Sequence, residues 1–119
     1  MSKNAVSSAG TCVAGKLRQF EVYESPSALD RDIAPYIVVL QSHFLDALPT
    51  VVVAPLLRPE AAERLAYLSV EVVIGDERFV LSLHELATVP KRSLRHKLGD
   101  VRNQEDAISR GLQRLFTGF

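Results

Sequence analysis

The sequence predicts a mainly β domain closed by one C-terminal α-helix. Three observations predict it. Five short segments rich in Val, Ile, Leu and Phe carry strand-like patterns. A sustained helical period appears only over residues 103–119. Nothing of convincing helical length separates the strands, so this is an α+β or small β-barrel domain and not a parallel sheet with crossover helices.

Residues 1–17 are small and polar without a sustained period, and read as a disordered extension. The folded domain is expected over 18–119. Gln19-Phe20-Glu21-Val22-Tyr23 opens it as a strand, its apolar residues alternating as on one buried face. Ser25-Pro26-Ser27 begins a loop, solvated up to Asp32. Tyr36-Ile37-Val38-Val39-Leu40 is a β-branched run buried on both faces. Gln41 to Asp46 is a more polar loop holding Phe44 and Leu45. Pro49 introduces the strand Thr50 to Ala54, which Pro55 is expected to end. The loop of about nine residues between these two strands suits antiparallel neighbours.

Pro59 to Leu68 carries a helix-start signal but sits between strands, so it reads as a helical turn at most. Val70, Val72 and Ile74 alternate with Glu71 and Val73. Gly75-Asp76-Glu77 turns the chain, and Arg78 to Leu83 returns, making the clearest hairpin in the sequence. Lys91 to Leu98 is a short basic stretch, broken by Gly99-Asp100.

The last helix starts with Asn103 as expected cap. Glu105 and Asp106 sit at its positive end, and Arg110 and Arg114 toward its negative end. Ile108, Leu112, Leu115 and Phe116 share a face. Gly111 weakens a helix by roughly 1 kcal/mol relative to Ala, which points to a close approach by a neighbour or to chance. Gly118 stops the helix. An apolar Phe-Thr-Gly-Phe ending is unusual for a terminus. Either Phe116 and Phe119 fold back onto the core, or they form a contact surface.

The chain has 119 residues, 47% of them hydrophobic, enough for one domain with a modest core. Lys plus Arg number 14 and Asp plus Glu 14, so overall charge gives no argument for nucleic acid or membrane as partner. The single cysteine, Cys12, excludes an internal disulfide and fits a reducing compartment. No apolar run approaches the roughly 20 residues of a membrane span, and the expected location is the cytoplasm.

No catalytic or metal site is expected, and no cofactor. His84-Glu85-Leu86-Ala87-Thr88 begins like a zinc-protease motif but has Thr at 88 where the second ligand would stand. Ser82 and His84, two apart on the expected strand, point the same way, yet no orienting group or oxyanion hole accompanies them. The basic stretch 91–97 lacks interleaved aromatics and reads as a solvated face. An interaction protein fits better than an enzyme.

Several short motifs, in order and spacing, resemble the CcdB family of bacterial toxins. They are Gln19 to Tyr23, Val38 to Asp46 with Gln41-Ser42 inside it, Ala54-Pro55-Leu56, Val73 to Glu77, Leu86 to Pro90, and Leu115 to Phe119. The similarity covers about residues 19–119. It implies an SH3-like barrel with an extended antiparallel sheet and a C-terminal helix. It implies a homodimer, neutralised by a CcdA-like antitoxin, with operator DNA bound only together with that antitoxin. It implies a poison of DNA gyrase that binds the gyrase A subunit and traps the cleaved-DNA state. By the resemblance, Thr117, Gly118 and Phe119 form the gyrase-binding end, and Ser42 and Leu45 join the same surface. Thr117 departs from the best-known members, which carry Trp there, stacked on an arginine of gyrase. A dimeric module that holds an antitoxin without poisoning gyrase is the alternative.

Overall fold

The computed structural model describes residues 17–27, 31–42, 45 and 47–118. The expected tail as far as Lys16, with Cys12, lies outside the described residues, as do His43, Phe44, Asp46 and Phe119. Leu17, read as the end of the tail, is buried, so the packed part reaches at least that far back.

Among the described residues seven strands form one antiparallel sheet: β1 (Glu21–Glu24), β2 (Tyr36–Val39), β3 (Thr50–Leu57), β4 (Ser69–Ile74), β5 (Glu77–Ser82), β6 (Ala87–Pro90) and β7 (Arg95–Asp100). The helix α1 (Glu105–Thr117) follows. The sheet runs β4-β5-β3-β2-β1-β7, and β6 pairs with β3 beside β5. This is the expected class, a half-barrel of antiparallel strands with one terminal helix.

β3 organises the sheet. Its long edge pairs with β2, while its other edge is shared. Thr50 to Val53 pair with β6, and Leu56 and Leu57 with β5. The expectation that Pro55 ends this strand is corrected, and the ladder shows why. Leu40 N–H donates to Val52 O at 3.0 Å. By alternation Val52, Ala54 and Leu56 face β2, and Pro55 faces the other edge. There it falls in the gap where β6 hands over to β5, so its missing N–H costs no ladder bond.

Period-2 alternation makes two cores. Val22, Val38, Ala54 and Leu56 point to one face, where Phe79, Leu81, Leu83 and Ile108 of α1 meet them. Tyr23, Ile37, Val39, Val51 and Val53 point to the other, with Leu17 and Leu94. Both faces of β2 are thus buried, as its unbroken apolar run requires.

The β4–β5 hairpin is as expected. Its register runs from Ser69↔Ser82 to Ile74↔Glu77 around Gly75-Asp76. Gly75 has φ 62°. That is the left-handed first position of a type II′ turn.

Other expectations shift. β1 begins at Glu21, because Phe20 turns into the left-handed region. Between Pro59 and Leu68 the helical signal yields a 3₁₀ turn, Pro59–Ala61, and a further turn in which Leu68 N–H donates to Leu65 O at 3.1 Å. The basic stretch supplies a second 3₁₀ turn, Lys91–Ser93, and most of β7. β7 opposes β1 with one extra residue at Leu98 and another at His96. His96 has φ 58° and Gly99 φ 150°. This edge is therefore doubly bulged. Asn103 does not cap α1. It lies in a 3₁₀ turn, Arg102–Gln104, that leads into the helix, and Gln104 is the cap residue without a side-chain bond.

Candidate binding surface at the C-terminal helix

Helix α1 docks on the sheet by a narrow stripe. Ile108 is fully buried, Gly111 is buried, and Ala107 and Leu112 pack beside them. Gly111 marks a true close approach. A Cβ there would lie closer than 3.0 Å to both Tyr67 O and Leu83 Cδ1. Tyr67 makes the approach possible by adopting φ 66°. Such a conformation is uncommon for a bulky residue. Its ring stays half exposed. The Arg114 guanidinium covers that ring at 3.8 Å from the centroid. A strained backbone and a cation–π contact therefore hold the second half of the helix at a fixed distance from the sheet.

Beyond that clamp the helix leaves the body. Phe116 is 70% exposed, the most exposed large apolar side chain among the described residues. It does not fold back onto the core. Thr117 is exposed, and its Oγ1 donates to Gln113 O, one turn back. The hydroxyl is thus used within the helix, and Thr117 offers a partner its methyl group. Gly118, at φ 80°, donates its N–H to Arg114 O at 3.0 Å. This left-handed cap satisfies one terminal carbonyl. Phe119 of the expected gyrase-binding end lies outside the described residues.

Ser42 and Leu45 occupy a different place. Leu45 N–H donates to Ser42 O at 3.0 Å, and Leu48 N–H to Leu45 O at 3.1 Å. These two successive turns hold Leu45 and Leu48 half exposed. Ser42 and Leu45 line a shallow pocket with Leu17, Val39, Val51 and Lys91. That is the face of the sheet opposite α1. The structure therefore brings Thr117 and Gly118 together, and Ser42 with Leu45, but the two pairs lie on opposite faces of the sheet.

The sequence reading missed a buried polar cluster at β1 and β7. Glu21 is only 4% exposed. Its carboxylate accepts the Arg18 N–H at 2.8 Å and the Tyr23 hydroxyl at 2.9 Å, and meets Lys97 Nζ at 2.7 Å. Burial alone would raise the Glu21 pKa, but Lys97, the Arg18 amide and Tyr23 outweigh it and hold the carboxyl below its usual range. Burial, and then the nearby Glu21 charge, push the Tyr23 phenol well above its own. Glu21 and Tyr23 are two apart in one strand, hence on one face, and that spacing was the available signal.

Ser82 and His84 do not share a strand as expected. β5 ends at Ser82, and His84 lies in the turn after it. Ser82 Oγ and His84 Nδ1 are both buried without a hydrogen-bond partner among the described residues, so they are not bonded to each other. They form no nucleophile–base pair. His84 Nε2 lies 3.7 Å from Glu85 and 3.9 Å from Glu63. Among the described residues no group of three or more His, Cys, Asp or Glu is placed to hold a metal ion. No helix among them is long and apolar enough to cross a membrane.

The fold is shared with solved toxins. An endoribonuclease in complex with its cognate antitoxin, from a mycobacterial species, superposes with a TM-score of 0.65 at 16% identity, covering 82% of this chain and 91% of that one. The Mycobacterium tuberculosis toxin MazF-mt6 superposes with a TM-score of 0.61 at 23% identity, covering 83% and 96%. A further structure described as an Mtb toxin gives 0.60 at 23% identity, covering 71% and 96%. At these identities the likeness shows the fold alone. No curated protein matches the sequence. The model of the family described as CcdB protein matches residues 19–118, from the residue before Phe20 to the helix-capping glycine, and the chain belongs to the CcdB family.

Proposed function

We propose that the chain is the toxin of a type II toxin–antitoxin pair. It acts as a homodimer in the cytoplasm and inhibits DNA gyrase by presenting the ends of its paired helices to the gyrase A subunit. The observation that carries this reading is Phe116, 70% exposed at the end of a helix clamped just behind it, on a CcdB-family scaffold. Trapping needs no catalytic group. A ligand that prefers the cleaved-DNA state shifts the enzyme toward it by differential affinity. A CcdA-like antitoxin neutralises the toxin, and the two together contact operator DNA. The mycobacterial endoribonuclease bound to its cognate antitoxin supports the antitoxin as partner.

The test is expression without antitoxin, together with purified gyrase. Growth arrest, loss of supercoiling and accumulation of cleaved DNA are expected. Normal growth with unaffected gyrase would sink the reading. Cleavage of RNA by the purified chain would replace it with the activity named for the solved neighbours.

A second reading keeps the scaffold without the poison: a dimeric module that binds antitoxin and contributes to operon regulation. Thr117 favours it, because its hydroxyl is turned back on Gln113 and only a methyl remains where the best-known members have Trp. Aromatic anchors often dominate interface energy. Thr117→Trp separates the two readings. A harmless wild type made toxic by this change supports the second, and a toxic wild type refutes it.

A further inference from the structure

The family match begins at Gln19, so residues 1–18 precede the matched region. Leu17 fixes where that stretch joins the body. It is 3% exposed and packs in the core of Tyr23, Val39, Val51 and Leu94. It also walls the shallow pocket that Ser42, Leu45 and Lys91 share. The chain ahead of Leu17 therefore emerges beside the Ser42–Leu45 surface.

That surface is apolar. Leu45 and Leu48 are 49% and 46% exposed, and the bond from Leu48 N–H to Leu45 O keeps them side by side. Pro49 and Pro90 are exposed next to them, where Lys91 N–H donates to Pro49 O at 3.0 Å. Large apolar side chains gathered at one place mark a surface that is covered in use. Residues 1–16 contain no Asp or Glu, and the part nearest Leu17 includes Cys12-Val13-Ala14. Small apolar side chains suit a shallow patch. Val13 stands four positions before Leu17, and four extended residues span up to about 14 Å. That is enough to cross from the pocket wall to Leu45 and Leu48.

We propose that Cys12-Val13-Ala14 fold back across Leu45 and Leu48 and screen the Ser42–Leu45 surface, so that the N-terminal extension is an intramolecular strap. Its place follows from where Leu17 is anchored. Its consequence, restraint of the toxin, rests on the gyrase reading above. So short a tether holds the strap at an effective concentration on the order of 1 mM. A contact with a dissociation constant of about 0.1 mM is then closed about nine-tenths of the time, and a partner needing the open surface binds about tenfold more weakly.

Cys12 is the chain's one cysteine and serves as the probe. Leu48→Cys is oxidised with glutathione disulfide in dilute full-length protein, beside Arg92→Cys, whose neighbour Lys91 walls the same pocket. An intrachain Cys12 disulfide should form about tenfold or more faster with Leu48→Cys, and adding Val13→Asn should remove the difference. Equal rates at the two positions, or no effect of Val13→Asn, mean an extension that roams, and overturn the proposal. A bond from Cys12 of one chain to position 48 of another overturns it too, by making a second copy the occupant. Deletion of residues 2–14 leaves the patch itself native. It should speed amide exchange at Leu45 and Leu48 by about tenfold, and unchanged exchange there overturns the strap. On the gyrase reading the deletion variant inhibits about tenfold more potently, and equal potency overturns the restraint. If disulfide and exchange behave as expected while neither protein affects gyrase, the gyrase reading fails and the strap stands.

Discussion

Gly111→Ala sets two effects of known sign against each other. In an isolated helix the change stabilises by roughly 1 kcal/mol. Here the new methyl would lie closer than 3.0 Å to Tyr67 O and to Leu83 Cδ1. Leu83 is fully buried, so its side chain has little room to turn away. The Tyr67 carbonyl belongs to a backbone already held at φ 66° and cannot swing aside alone. Helix and sheet must therefore separate, and overpacking of this kind costs about 1–3 kcal/mol, toward the upper end when backbone is struck. The clash wins, with a net loss of about 1–2 kcal/mol. For a domain of this size that lowers the melting temperature by roughly 3–12 °C. Thermal and urea unfolding of the two proteins measure it. A variant that melts at or above wild type would refute the claim that α1 is seated by its glycine. On the gyrase reading, inhibition of that enzyme gives a second readout, because a helix pushed off Tyr67 also loses its Arg114 clamp.

Acid should destabilise the fold through Glu21. Its folded pKa is below the usual 4.5, so its contribution is complete above that value and is lost as pH falls below it through the folded pKa. Glu21→Gln should flatten this limb of the stability–pH curve, and an unchanged limb would count against the cluster. Lys97→Met leaves the buried carboxylate without its ammonium. It should cost about 1.5–3 kcal/mol at pH 7 by urea unfolding and shrink the acid limb, because burial then pulls the folded carboxyl back toward its unfolded range. Phe116→Ser should leave stability within about 0.5 kcal/mol, since the ring is in water, while abolishing any gyrase inhibition. Loss of stability instead would show that the ring packs on the body. Gly118→Ala forces a side chain into the left-handed cap and should lower stability by about 1 kcal/mol, read by thermal melts, with fraying of the last turn.

The parts legible in the sequence are those where one residue type has one physical use. Val70, Val72 and Ile74 alternate around Glu71 and Val73, and Gly75-Asp76 closes a two-residue turn, so the hairpin could be read directly. Gly111 suggested a close approach, and Tyr67 O supplies it. β7 was not legible, because an exposed strand interrupted by two bulges keeps no period. β6 was missed because four mostly exposed residues carry no apolar stripe. Pro55 misled because a proline in a strand is harmless only where the neighbour changes, and which neighbour a strand has is a tertiary fact. Asn103 misled because the chain enters α1 through a 3₁₀ turn that moves the cap one residue on. Glu21 was invisible as a buried charge because its partner, Lys97, lies on another strand far along the chain.

The separation of the two halves of the expected site constrains how it can work. Ser42 and Leu45 sit over the core of Tyr23, Val39 and Val51, whereas Thr117 and Gly118 end a helix packed on Val22, Val38 and Leu56. A sheet with a core on each face stands between them. One partner meeting both must wrap around an edge of the sheet or receive one half from each of two copies. Wrapping past β4 must cross the hairpin edge of the sheet, while wrapping past β7 must cross a doubly bulged one. A twofold arrangement avoids both, because symmetry can place the front of one copy beside the back of the other. On the gyrase reading, a shared surface then demands the dimer and does not merely tolerate it. If Leu45→Asp and Phe116→Ser each abolish gyrase inhibition, mixed dimers carrying one change per chain decide the matter. When each surface draws its two halves from different copies, one surface of the mixed dimer keeps both wild-type residues and inhibition persists. When both halves come from the same copy, every surface carries one change, and an inactive mixture would argue for wrapping instead.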